Sequence, residues 1–378
     1  MKQLSAPVVV SVLGSVLAFA ACGSSAATTP DAAPDPMLPA RAVIVAGDFT
    51  SAGVLSTFDP ATREVQTNVG PPMAVGNDPM LRHWGRELFI INRAENNITI
   101  LDDQTFALKE QLGTGADSNP QDVAVVGNKL YVPTYKTKGV TVLTRGSKTT
   151  AEIDLSADAP DGTPECNSVY AVGTDVYVSC QLMADFPATV PGKVYVIDSK
   201  TDKLKPAATI TLVHKNPFGL FEQVPAGAPH GGDLVMATVN DFVEPGCLER
   251  FAPGVTASSC WLLTGDLGDQ LPNYASRTTF QFMPGAEVTY FAVPGTFPAA
   301  DLLAYDMASD LLWAGAINPT TQVMADVTVC PTGETVVYDG AEAASGLRMY
   351  NAGTEATKTA LPIGIANGKF STHGLECY

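Results

Sequence analysis

Charge is scarce in this sequence. Only 16% of its 378 residues are Asp, Glu, Lys or Arg, against 46% hydrophobic residues, and the mean hydropathy is +0.11. A chain this apolar is not intrinsically disordered and is long enough to bury a sizeable core. Cations are scarcer still: 22 Lys and Arg face 39 Asp and Glu, a formal net charge of −17. Phosphate backbones are held by cationic surfaces, so nucleic acid is not expected as a partner. Four histidines limit histidine-based metal chemistry. No Gly-x-Ser-x-Gly elbow, phosphate-binding glycine loop or Cys-x-x-Cys pair occurs, which removes the commonest hydrolase, nucleotide and zinc signatures. No cofactor motif is present, and the only cofactor the chain invites is a cation in a central channel. Glycine and proline are abundant, 33 and 28 residues, which implies many short elements joined by turns.

The first 21 residues read as an address rather than as part of the fold. Lys2 precedes an apolar run from Val8 to Ala20 that is too short for a comfortable membrane span and suits a secretory signal. It ends in Phe19-Ala20-Ala21-Cys22. This resembles the bacterial lipoprotein box, with Phe19 where leucine is usual. The resemblance implies cleavage before Cys22 and lipidation of that cysteine, and two or three acyl chains anchor stably where one does not. Residues 22–40 have no apolar period and read as a flexible tether. Gly23 stands where an inner-membrane-retained lipoprotein would carry Asp, so the expected location is the cell envelope, outer membrane rather than inner. The membrane is expected to be met through the lipid alone, since an acidic body is repelled by anionic headgroups.

Residues 41–378 carry an internal repeat. Leu88–Asn92 with Ile98–Asp102, Leu130–Thr134 with Val140–Leu143, and Val176–Ser179 with Val194–Asp198 are paired β-branched or aromatic runs, hence strands. A shorter apolar run opened by Pro79, Pro120, Pro164 or Pro217 accompanies each unit. A second marker, an Asx or hydroxyl residue with Thr or Ser three positions on, recurs at Asp59, Asp102, Thr144, Asp198, Asp306 and Asn351. Such residues cap tight turns through backbone amides, which also explains aspartates that might otherwise suggest calcium. The step from Asp198 to Asp306 is twice the step before it, so one further unit lies between them, making seven. Seven four-stranded units predict an all-β, seven-bladed β-propeller. The first unit lacks its inner strand, and residues 369–378 are left over to supply it, closing the ring like a clasp and removing exposed edges. Tyr131-Val132-Pro133-Thr134 and Phe89-Ile90-Ile91-Asn92 resemble the Tyr-Val-Thr-Asn repeat propellers of bacterial envelopes, a resemblance that speaks for fold rather than activity.

Apart from Cys22, six cysteines remain, which allows 15 pairings in an exported protein. Cys166 and Cys180 are centred on the turn at Gly173, and Cys247 and Cys260 on the turn at Pro253-Gly254, so each pair is expected to face across a hairpin. Cys330 and Cys377 then pair across the clasp.

Inner-strand polar residues make the candidate site: Arg82, His83, Asp122, Asn167, Asp326 and His373. They form either a polar funnel for a cation or small polar ligand, or solvated channel liners with no partner. Two insertions, at Gln181–Pro191 and from Asp241 through Cys260, break the period and offer either a partner-binding rim or a cap on a blade edge. The functional expectation is a monomeric, non-enzymatic scaffold that binds an envelope protein or small polar ligand through one ring face. The alternative is a metal-assisted hydrolase of lactonase type, with His83, His373, Asp122 or Asp326 as ligands converging in the channel.

Overall fold

The computed structural model describes residues 40–263 apart from 52, 148, 185–187 and 241–245; between 278 and 361 the strands and the 330–334 turn; and residues 374–378. Among these no helix is long and apolar enough to cross a membrane. The lipidation motif and His373 lie outside the described residues.

Antiparallel pairing gathers the chain into seven sheets. The first joins Leu375–Cys377, Ala42–Gly47, Gly53–Phe58 and Val65–Gln66, from the inside outward. The second runs Pro79–Trp84, Glu87–Asn92, Asn97–Asp102, Leu108–Gly113, and the third Ala124–Val126, Lys129–Thr134, Gly139–Thr144, Thr150–Asp154. The fourth holds Cys166–Val172, Asp175–Cys180 and Pro191–Asp198, against which Lys203–Leu204 and Ile210–Lys215 both pair. The fifth runs Glu222–Gln223, Leu234–Thr238, Cys247–Phe251, Ser259–Leu263. The last joins Met324–Val329, Thr335–Asp339, Gly346–Asn351 and Thr354–Leu361. These are six blades of a β-propeller, where the sequence predicts seven. The difference falls on one stretch. The sheet of Thr278–Met283, Ala286–Pro294 and Ala300–Asp306, with Leu311–Leu312 and Asn318–Pro319, is described in its backbone only.

Each blade forms for local reasons. The second strands are almost fully buried on both faces, as in Leu88–Ile91, which is why they read as continuous apolar runs. Predicted turn caps are present at Asp59, Asp102 and Asp198, whereas the Thr144 turn is closed by its backbone carbonyl and the turns after Asp306 and Asn351 lie outside the described residues. Asp59 Oδ1 accepts the amides of Ala61 and Thr62 at 2.8 and 3.0 Å. Asp102 Oδ1 accepts those of Gln104 and Thr105 and the Thr105 hydroxyl. The Thr105 amide above all holds the Asp102 carboxyl far below the usual range.

Blade faces stack into a shared core. One apolar cluster runs through blades two to five, from Met80 and Phe89 through Val132 and Tyr170 to Phe221 and Phe251. The tail closes the ring as expected: Cys377, Glu376 and Leu375 register with Ala42, Val43 and Ile44. Arg41 and Tyr378 exchange backbone hydrogen bonds at 2.9 and 3.1 Å.

All three expected disulfides are present, Cys166–Cys180, Cys247–Cys260 and Cys330–Cys377. Cys166 and Cys180 are direct cross-strand partners. Cys247 and Cys260 are not: a bulge after Leu248 sets Cys260 opposite Glu249 and Cys247 opposite Leu263. The bridge therefore runs diagonally, a correction to the symmetric hairpin drawn from the spacing.

Candidate functional site

The strongest charge cluster lies where inner strands meet. Arg82 stands on the inner strand of the second blade, and Asp122 just ahead of the inner strand of the third. Arg82 Nε donates to Asp122 Oδ1 at 2.7 Å, and its terminal nitrogen to Oδ2 at 2.9 Å. This two-pronged pair is buried: Arg82 is 5% exposed and Asp122 0%. Glu222 of the fifth blade approaches the same guanidinium at 3.9 Å. Tyr170 of the fourth blade donates its hydroxyl to Gln223 of the fifth at 3.5 Å. With the Ser168 hydroxyl of the fourth blade on Asp122, side chains of four blades form a connected polar centre.

Asp122 is occupied beyond the ion pair. Its Oδ1 accepts the Val123 amide at 2.8 Å, and its Oδ2 accepts the Val169 amide and the Ser168 hydroxyl, each at 2.9 Å. Val169 belongs to the next blade. Asp326 repeats the arrangement at the clasp, accepting Val327 through Oδ1 at 2.9 Å and Leu375 of the first blade through Oδ2 at 2.8 Å. Ser168 does the same toward the fifth blade, accepting the Phe221 amide at 2.9 Å. At three junctions, therefore, an acceptor at one strand position clips a blade to its successor. An amide at a blade junction has no ladder partner, and a buried unpaired amide is costly, so an acceptor here is strongly stabilising.

The other predicted residues are dispersed. Asn167 accepts the Ser179 hydroxyl within its own blade at 2.9 Å. His83 follows Arg82 in the strand and so faces the opposite way. It stacks on Tyr378 with ring centroids 3.9 Å apart, and its Nε2 lies 3.1 Å from Asp103. Burial pushes the Asp103 carboxyl up, but the hydrogen bonds from His83 and Arg86 outweigh it and hold the group below its ordinary range. The structure brings Arg82 to Asp122 and sends His83 elsewhere. His214 is on the outer strand of blade four, and His230 meets Trp261 edge-on at 6.3 Å.

A second cluster was missed in the sequence. In blades two to five the residue ahead of the inner strand accepts a backbone hydrogen bond from the residue just past the second strand. Asp78 accepts from Arg93, Asn119 from Tyr135, Glu165 from Gln181, and Asn216 from Val239, at 3.0–3.2 Å. These residues therefore ring one mouth of the propeller. Asp78 and Arg93 also form an ion pair. Asn119, Glu165 and Asn216 all have left-handed backbones, with φ of 50°, 46° and 54°. Asparagine tolerates that conformation; glutamate does so at a penalty of about 1–2 kcal/mol. Glu165 is 7% exposed, and burial raises its carboxyl to about 7, against the opposing Met183 amide that it accepts at 2.8 Å. Tyr135 donates to Gln181 at 2.9 Å and is raised by burial, with Glu165 adding to it, to about 12. Gln181 in turn donates to the Pro217 carbonyl at 3.1 Å. The only sequence signal for Glu165 is its place between Pro164 and Cys166, which does not reveal burial.

No family model and no curated relative matches the chain. Several solved structures do. A Bacteroides fragilis protein described as a 6-phosphogluconolactonase is 12% identical, with a TM-score of 0.61, covering 91% of this chain and 99% of that one. The dihydro-heme d1 dehydrogenase NirN in complex with DHE is 14% identical, with a TM-score of 0.55, covering 87% and 74%. Apo AztD from Citrobacter koseri is 13% identical, with a TM-score of 0.52, covering 87% and 84%. At such identities the likeness concerns the fold alone. Enzymes and other proteins share this scaffold, as expected of an architecture that hosts many activities. Strand pairing and comparison agree that the chain is an all-β β-propeller.

Proposed function

We propose that this chain is a lipid-anchored envelope protein that binds a partner protein or small polar ligand at the mouth ringed by Asp78, Asn119, Glu165 and Asn216. The observation that carries this reading is Glu165, a buried carboxyl held in a strained backbone at that rim. Strain and shifted acidity gather where a surface is built for contact. The neighbouring insertion that starts at Gln181 shares the same mouth. The metal-assisted hydrolase has less support, because Asp122 and Asp326 are engaged as blade clips and His83 is held by Tyr378 and Asp103.

A photo-reactive amino acid placed at Asn119 or Glu165 in intact cells should yield cross-linked species. The same probe at Arg63 or Lys109, at the opposite ends of the blades, should not. Equal cross-linking from both ends, or none from the mouth, overturns the proposal. Metal-dependent lactone hydrolysis by the purified protein, abolished by Asp122→Asn without loss of fold, would favour the hydrolase instead.

Two parts of this reading have their own tests. Cys22 carries the anchor, so labelling with a lipid precursor should disappear in Cys22→Ala, and label retained on that variant refutes it. The sheet between Thr278 and Pro319 supplies the seventh blade, supported by its strand order and its position in the chain between blade five and the last sheet. Amides of Thr278–Met283 and Ala286–Pro294 should then resist hydrogen exchange as strongly as those of Thr335–Asp339, and rapid exchange there refutes the seventh blade.

A further inference from the structure

We propose that His214, Cys247 and Cys260 form a latent site for a thiophilic divalent cation, opened when a dithiol reduces the Cys247–Cys260 bridge. His214 lies on the outer strand of blade four, Ile210–Lys215. The two cysteines lie on adjacent strands of blade five. The imidazole nitrogen and both sulfurs sit within 4.8 Å of one another, the only such group of three among the described residues. Two thiolates and an imidazole are a ligand set for zinc-like cations, which hold thiolates about 3.7 Å apart in tetrahedral geometry. The sulfurs therefore need to separate by less than about 2 Å from their bonded distance to receive the ion.

The imidazole is already in place and under-used. His214 Nδ1 is buried without a hydrogen-bond partner, with Glu249 Oε1 3.5 Å away. Glu249 is fully buried and fixes this segment by accepting the amides of Val213 and His214 at 2.9 and 2.7 Å and the Ser258 hydroxyl at 2.6 Å. Glu249 thus positions the backbone that carries the imidazole, and outer carboxylates of this kind commonly support metal sites. No equivalent histidine accompanies the Cys166–Cys180 or Cys330–Cys377 bridges among the described residues.

The chemistry balances as follows. A dithiol thiolate attacks the half-buried Cys260 sulfur, expelling Cys247 as thiolate. The second thiol of the reductant then attacks its own sulfur in the mixed disulfide, releasing Cys260. Two electrons pass to the protein, and the reductant leaves as its cyclic disulfide. The cation displaces the two thiol protons to solvent and binds both sulfurs and the imidazole, with water in the fourth position. Two thiolates neutralise a divalent ion, so loading the site adds no net charge. The bridge within blade five becomes a metal link between blades four and five.

The test is cobalt(II) titration of the full chain, reduced and then freed of reductant under anaerobic conditions. The reduced protein should bind one cobalt with thiolate charge-transfer and tetrahedral d–d absorption. His214→Ala should weaken binding about tenfold or more. The oxidised protein and Cys247→Ala/Cys260→Ala should show no such bands. Zinc should raise the melting temperature of the reduced wild type and leave that of the double variant unchanged. The proposal is overturned if the reduced chain gives no thiolate bands, whether folded or unfolded, if the bands survive in the double variant, or if His214→Ala binds as tightly as wild type.

Discussion

Asp122→Ala should be among the most destabilising single substitutions in this protein. The carboxylate is fully buried and satisfies the Arg82 guanidinium twice, the Ser168 hydroxyl and the amides of Val123 and Val169. Removing it strips Arg82, itself 5% exposed, of its two-pronged carboxylate partner, with Glu222 3.9 Å away at its flank. Breaking a buried pair from one side costs about 3–5 kcal/mol, mostly the uncompensated charge. Urea unfolding followed by tryptophan fluorescence suits the measurement, because Trp84 donates to the Val123 carbonyl at 3.1 Å, one residue from the lesion. Replacing both partners by apolar residues, Arg82→Met with Asp122→Leu, should recover most of the loss, since a well-packed apolar pair can match a buried ion pair. Asp326→Ala removes the corresponding clip at the ring closure, orphaning the Val327 and Leu375 amides, and should cost at least about 1.5–3 kcal/mol. The reasoning fails if Asp122→Ala costs less than about 1 kcal/mol, or if the double variant is as unstable as the single one.

Cys377→Ser opens the bridge to Cys330, a separation of 47 residues, and in the chain-entropy model should lower stability by about 4 kcal/mol, read as a drop in the melting midpoint under non-reducing conditions. For Glu165, whose folded acidity constant is raised to about 7, the folded state holds its proton more tightly than the unfolded chain. Its contribution to stability is therefore present at low pH and is lost as pH rises from about 4.5 to 7. Melting temperatures taken across that window should fall in the wild type and flatten in Glu165→Gln; an unchanged slope refutes the assignment. Gly47→Ala places a Cβ 2.0 Å from the Asn77 carbonyl oxygen, where the first blade meets the entry to the second. It should cost about 3 kcal/mol by overpacking, checked by urea unfolding.

Much of the fold was legible because its signals are local. Alternating and continuous apolar runs, glycine turns such as Gly173, and aspartates two or three residues before the amides they accept all act within a few residues. So do the hairpin cysteines Cys166 and Cys180. Even the clasp followed from counting strands and finding the first blade short. The clip function of Asp122, Ser168 and Asp326 was not legible, because each acts on the backbone of a different blade 47 to 53 residues away. The Cys260 offset needed a bulge that no composition reveals.

The chain by itself determined the strand repeat, the caps that end each turn, the disulfide partners and the tail that completes the first blade, since these rest on periodicity and on contacts between successive strands. Only the tertiary structure decided which polar residues are consumed in holding blades together and which face a mouth. Burial and charge pairing depend on neighbours brought together by ring closure, and Glu165 and His214 have no distinctive local sequence that announces them.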